Sequence, residues 1–83
     1  MTEAELTMPQ IFEAGGATID ARAMDEIIDF VRRQGKPVPH HRLVLETAQR
    51  VPTYAVLKVI EIMWLSNRLK KDIEANTYIV NDH

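Results

Sequence analysis

The chain has 83 residues, of which 46% are hydrophobic, contains no cysteine and carries a formal net charge of −2. This length suits one domain, the hydrophobic content excludes wholesale disorder, and the lack of cysteine excludes disulfides and thiolate metal sites. The charges are segregated, with seven acids and one base in residues 1–29 but nine bases and two acids in residues 32–71. Such a basic block favours a polyanionic partner, although a solvated charged face is the plain alternative.

The first 19 residues are predicted to form an acidic arm. A short helical piece would end at Gly15 and Gly16, and Ile11 and Phe12 would dock part of the arm on the domain. The acids of residues 1–29 have three alternative roles: folding back on the basic block of the same or a neighbouring subunit and competing there with a polyanion, contacting a separate basic partner protein, or keeping a partly disordered arm soluble. The chain shows no signal-peptide pattern and no run long enough to span a bilayer, so we expect no membrane contact and a cytoplasmic location.

The clearest predicted helix covers residues 20–34. Asp20 would cap its start, and Gly35 would end it in the left-handed conformation. Its apolar residues recur at helical spacing and define one buried face: Met24, Ile27, Ile28 and Val31. Residues 20–83 are therefore expected to form the folded domain behind the arm.

Two prolines follow this first helix and prevent it from continuing. Pro37 and Pro39 push the residues before them toward extended geometry, which predicts a short connector or edge strand with Val38 pointing inward. A second helix is predicted over residues 41–50, because apolar positions recur again at helical spacing.

Pro52 breaks the second helix, and Thr53 is a good N-cap for a third helix over residues 54–66. The remaining residues combine a polar centre with a strongly β-forming end. They predict a terminal β-hairpin over residues 67–81 with its turn near residues 74–76.

This order of elements resembles the winged helix-turn-helix family of DNA-binding domains. The resemblance lies in residues 27–38, which read IIDFVRRQGKPV, in a short helix with Ala48 at a packed position, in the turn at residues 51–53, and in the terminal hairpin as wing. It implies a fold that is mainly α with a small C-terminal β-hairpin, that is, a three-helix core plus wing.

In such domains the third helix enters the major groove and the wing contacts the backbone or minor groove. Carried over by position, the resemblance implies binding of double-stranded DNA, with basic side chains near phosphates and Asn67 as a candidate reader of adenine. The implied nucleic-acid-binding residues are Arg42, Arg50, Thr53, Tyr54, Lys58, Asn67, Arg68, Lys70 and Lys71.

The third helix departs from this family pattern because it is apolar on nearly all sides. Lys58 and Glu61 alone interrupt the apolar run, and they share one face with Tyr54 and Leu65. Either the second half of the helix is core and only its first turn reaches DNA, or part of its surface pairs with another subunit or protein. We favour a homodimer whose interface contains Ile60, Met63 and Trp64, with plain core burial as the alternative for Trp64.

Catalysis and metal binding find little support in the sequence. Ser66 is the only serine, and the adjacent His40 and His41 would not share a face on a helix. We therefore predict no enzymatic activity, no cofactor and no metal. The expected function is a small DNA-binding transcriptional regulator that acts as a homodimer. The alternative is a protein-binding adaptor or inhibitor on the same scaffold that uses the apolar third helix and the acidic arm.

Overall fold

The computed structural model describes residues 8–82, with side chains described for residues 18–82. In this part of the chain three helices and three short strands follow one another in this order: α1 (Met8–Gln34), β1 (Val38–Pro39), α2 (His40–Thr47), α3 (Thr53–Leu65), β2 (Leu69–Asp72) and β3 (Thr77–Val80). The protein is thus mainly helical with a small antiparallel sheet. Within residues 8–82, no helix combines the length and the apolar character needed to cross a membrane.

Helix α1 begins at Met8, so the predicted start near Asp20 is wrong. Residues 8–19 of the expected arm belong to the helix, and Asp20 lies inside the helix rather than at a cap. Gly15 and Gly16 do not end the helix, because a glycine inside a helix costs only about 1 kcal/mol relative to alanine. Residues 1–7 and the side chains of Ile11 and Phe12 lie outside the described part, so docking of the arm stays a prediction.

The other end of α1 is as predicted. Gly35 has a φ of 66°, a left-handed conformation that glycine adopts without steric penalty, and its N–H donates to the Arg32 carbonyl at 3.2 Å. The predicted apolar face is also confirmed: Ile27 and Val31 are buried, and Met24 and Ile28 are half-buried against the core. Helix α1 packs on α2, α3 and β3 and thus contacts both other helices and the sheet.

Helix α2 is shorter than predicted and ends at Thr47, because residues 48–50 form a turn. The Thr47 side chain is buried, and its hydroxyl donates to the Leu43 carbonyl at 2.6 Å, so this polar group is satisfied inside the core. Helix α3 starts at Thr53, with Pro52 at the N-cap position and no side-chain cap. The expectation that Thr53 caps α3 is therefore wrong, since Thr53 already belongs to the helix.

The predicted hairpin is confirmed. Strands β2 and β3 pair antiparallel, β1 joins the other edge of β3, and the strand order is β1-β3-β2. Val38 lies opposite Tyr78, and both side chains are buried, as expected for an inward-pointing Val38. The four-residue turn between β2 and β3 is held by the Asp72 carboxylate, which accepts from the Ala75 N–H at 3.1 Å. Thus the hairpin packs one face on the helices and leaves the other face to solvent.

Candidate interaction surfaces

The tertiary structure divides the basic block into two groups. Four of its bases form ion pairs with carboxylates: Arg32 with Asp82 at 2.6 Å, Arg33 with Asp29 at 3.1 Å, Arg50 with Glu26 at 3.3 Å and Lys58 with Asp20 at 2.8 Å. The remaining bases of the block contact no carboxylate among the described residues: Lys36, Arg42, Arg68, Lys70 and Lys71. A polyanion would find its uncompensated positive charge in this second group.

Three of these ion pairs link residues 1–29 to the basic block, and two of the three join α1 to bases outside this helix. Asp20 and Glu26 project from α1 and contact Lys58 on α3 and Arg50 in the turn before α3. For these two residues the expected contact of the acids with the basic block of the same chain is confirmed, and competition with a polyanion stays a prediction. Two predicted DNA contacts, Arg50 and Lys58, are therefore already partnered within the chain.

The basic residues of the hairpin, named here the β2 bases, are Arg68, Lys70 and Lys71. Arg68 and Lys70 are exposed, and among the described residues the Arg68 guanidinium donates a hydrogen bond to the Ser66 hydroxyl at 3.4 Å. Successive residues of a strand point to opposite faces of the sheet. Lys70 accordingly lies on the solvent face of the hairpin, and Lys71 lies on the face that packs against α3.

Lys71 and Trp64, for which the sequence predicted different partners, contact each other. The Lys71 Nζ lies 4.6 Å from the centroid of the Trp64 ring and 5.5 Å from that of Tyr78. Both distances are within cation–π range, and the partly desolvated position strengthens the attraction. Lys71 is half-buried by these rings, so it is less available to a phosphate than the exposed Arg68 and Lys70.

The solvent face of the sheet forms a shallow cleft of about 280 Å³. It is lined by Pro37, Lys70, Asp72, Thr77 and Ile79, and also by Lys71, although the Lys71 ammonium group lies over Trp64 on the other face. Lys36 lines the neighbouring depression, which shares Pro37 and Ile79 with this one. Lys36 and Lys70 thus flank the same patch of sheet, which carries more positive than negative charge.

A second cleft of about 320 Å³ lies between α3 and the hairpin. Its lining residues are His40, Leu57, Ile60, Glu61, Trp64, Lys71 and Tyr78. The His40 Nδ1 lies 3.2 Å from the Tyr78 hydroxyl, which fixes the imidazole against the sheet, whereas His41 is exposed. Within the described residues, no three histidine, cysteine or carboxylate side chains come together to hold a metal ion.

Asn67 has a structural role that the sequence prediction missed. Its φ is 64°, its N–H donates to the Trp64 carbonyl, and the next N–H, of Arg68, donates to the Met63 carbonyl at 2.7 Å. This pair of hydrogen bonds is the Schellman motif that ends a helix, and asparagine is second only to glycine at its left-handed position. Helix termination accounts for asparagine here, and recognition of adenine by Asn67 stays a prediction.

The expected dimer interface needs correction. Ile60 and Met63 are core residues, 2% and 0% exposed, so they are not available to a second chain. Trp64 is half-buried against the hairpin. The apolar side chains that α3 does expose are on its other face: Tyr54, Leu57, Ile62 and Leu65, with Tyr54 63% and Leu65 68% exposed. The exposure of this face could have been predicted from the sequence, because Tyr54 and Leu65 lie on the same face of the helix as the charged Lys58 and Glu61.

The remaining predicted contacts, Arg42 on α2 and Thr53 and Tyr54 at the start of α3, are all exposed. The structure therefore leaves them accessible without assigning them a ligand. Comparison of the chain with known protein families, with curated proteins and with solved structures finds no significant match in any of the three. Assignment of a function therefore rests on the chemistry of these surfaces.

Proposed function

We propose that this protein is a small cytoplasmic regulator that binds double-stranded DNA as a homodimer. The observation that carries the proposal is the exposure of Arg68 and Lys70, which contact no carboxylate of the described residues. The order of elements supports it, since two short helices joined by a tight turn and followed by a hairpin correspond to the winged helix-turn-helix arrangement.

The proposal assigns phosphate contact to the β2 bases, with Lys36 and Arg42 as further exposed cations. It departs from the family pattern at α3. Lys58, which would serve as the reading lysine, is neutralised by Asp20, and the exposed Glu61 would be repelled by phosphates. Because phosphate contacts would carry the binding, we expect an affinity that falls with salt in proportion to the number of uncompensated bases and that depends weakly on sequence.

Binding to random-sequence duplex DNA at several salt concentrations tests this proposal. We expect the logarithm of the binding constant to fall linearly with the logarithm of salt concentration, because each neutralised phosphate releases counterions. The double variant Arg68→Ala, Lys70→Ala should reduce this slope by about two units, since each contact contributes about 0.9. Single-stranded DNA and duplex RNA of matched length should bind less tightly.

Arg33→Ala is the matched control, because Arg33 is exposed, carries the same charge and is already paired with Asp29. We expect its slope to stay close to that of the unchanged protein. Absence of binding even at low salt would overturn the proposal. An equal effect of the control and of the double variant would remove the β2 bases as the contact surface.

A protein-binding adaptor is the second candidate, and the exposed apolar face of α3 favours it. Large apolar side chains gathered on one exposed helix face are typical of a protein interface. An adaptor would lose its partner when Leu57 and Leu65 are replaced by serine, whereas each chain would still bind DNA through its β2 bases in a salt-dependent way. The two candidates are thus separated by one pair of substitutions.

A further inference from the structure

The exposed face of α3 has an internal symmetry. We name this face the α3 stripe and define it by its six exposed residues: Tyr54, Leu57, Lys58, Glu61, Ile62 and Leu65. Four of them, Tyr54, Lys58, Glu61 and Leu65, follow one another at spacings of four, three and four residues. This alternation is the spacing of the seam along which one helix packs against another.

The four residues of the seam are arranged symmetrically about the centre of α3, with the charged pair inside and the apolar pair outside. Around the midpoint between Val59 and Ile60, Lys58 and Glu61 lie at equal distances, and so do Tyr54 and Leu65. An antiparallel copy of the helix, related by a two-fold axis through this midpoint, would place Lys58 opposite Glu61 of the partner, and Tyr54 opposite Leu65 of the partner. Each contact occurs twice, as an isologous interface requires.

We propose that the α3 stripe is the interface of a homodimer in which two α3 helices pack antiparallel about a two-fold axis. The proposal rests on the homodimeric part of the proposed function and does not depend on DNA binding. It commits to a second copy of this chain because the apolar ends and the oppositely charged centre of the stripe are complementary to themselves.

The charges at the centre set the register. Glu61 contacts no base of the described residues, whereas Lys58 contacts Asp20 of its own α1. In the dimer Lys58 would lie between Asp20 and the Glu61 carboxylate of the other chain. Complementary charges at an interface contribute more to register and partner choice than to raw affinity. A parallel pairing would instead place Lys58 against Lys58, which disfavours that alternative.

The apolar residues of the stripe supply the attraction. Tyr54 and Leu65 are the most exposed of these apolar residues, and Leu57 and Ile62 flank the seam on its two sides. A helix of 13 residues is only about 20 Å long, so the contact is small by the standard of stable dimers. We therefore expect dissociation in the micromolar range. The β2 bases take no part in the stripe, so Arg68 and Lys70 would remain exposed in both chains.

Charge reversal at the two central residues tests the dimer by sedimentation in the absence of DNA. Lys58→Glu places two carboxylates opposite each other, and Glu61→Lys places two ammonium groups opposite each other. Each variant alone should dimerise about tenfold more weakly or worse, because like charges across an interface repel. An equimolar mixture of the two variants should form heterodimers, since both central contacts then join opposite charges.

Lys70→Glu and Glu74→Lys are the matched controls, because they make the same charge changes on exposed residues of the hairpin. Both controls should dimerise like the unchanged protein. The proposal is overturned if the unchanged protein is monomeric throughout the micromolar range, if Glu61→Lys dimerises as tightly as Glu74→Lys, or if the mixture stays monomeric while both variants are folded. Glu61→Lys breaks no ion pair among the described residues, so it tests the interface even if Lys58→Glu fails to fold.

Discussion

Helix α3 and strand β2 belong to the same basic block of the sequence, yet they present different surfaces. On α3 the only base, Lys58, is paired with Asp20, and the exposed side chains around it are mostly apolar. On β2 and the residue before it, Arg68 and Lys70 contact no carboxylate of the described residues. The sequence thus gives the number of cations in the basic block, whereas the tertiary contacts decide which of these cations a polyanion can reach.

The difference has its origin in the packing of α1. This helix packs along α3, which brings its acids within reach of Lys58 and of Arg50. Exposed ion pairs of this kind stabilise a protein by about 1 kcal/mol at most, so their main effect is to occupy the two bases. The two surfaces match the two proposed roles, an apolar helix for self-association and a basic strand for phosphates.

The largest expected effect comes from comparing a substitution on the buried side of α3 with one on its exposed side. Met63→Ala should lower the free energy of unfolding by about 2–5 kcal/mol, because it removes fully buried volume from the core. Leu65→Ala, two residues further along the helix, should change it by less than about 0.5 kcal/mol while weakening the proposed dimer. Urea denaturation of dilute monomer measures the first quantity, and sedimentation measures the second. Equal losses of stability would contradict the assignment of Leu65 to an exposed face.

A sharper test lies at the junction between the two surfaces. Asn67→Ala should destabilise the protein by about 1 kcal/mol, because alanine pays the steric penalty of the left-handed conformation that ends α3. Asn67→Gly should be close to neutral in stability. Thermal unfolding distinguishes the two variants. If Asn67→Gly keeps the stability but loses preference for a selected DNA site, then the side chain reads a base after all.

The smallest expected effect comes from releasing Lys58. Asp20→Asn removes the partner of Lys58 and should lower the stability by less than about 1 kcal/mol, since the pair is partly exposed. If DNA contacts only the β2 bases, the salt slope of DNA binding stays unchanged in this variant. A slope that rises by about one unit would show that Lys58 meets a phosphate once it is free. That outcome would return α3 to the DNA-binding surface.

Local sequence patterns determined most of the elements. Hydrophobic spacing located the three helices, the prolines located their breaks, and the β-forming end located the hairpin. Gly35 ended α1 as predicted because a left-handed residue is a strictly local requirement. The start of α1 was predicted wrongly because two adjacent glycines weaken a helix without preventing it. The local sequence around them therefore did not decide where the helix begins.

The candidate interaction surfaces depended on contacts between residues distant in the chain. The sequence determined the charge segregation and placed Tyr54, Lys58, Glu61 and Leu65 on one face of α3. Only the tertiary structure decided that this face is exposed while Met63 is core, because both faces of the helix are apolar and α1, α2 and the hairpin cover just one. Pairing of Lys58 with Asp20 likewise required α1 to pack on α3. An ion pair forms only where two charges come close in space, and no local sequence pattern predicts that approach.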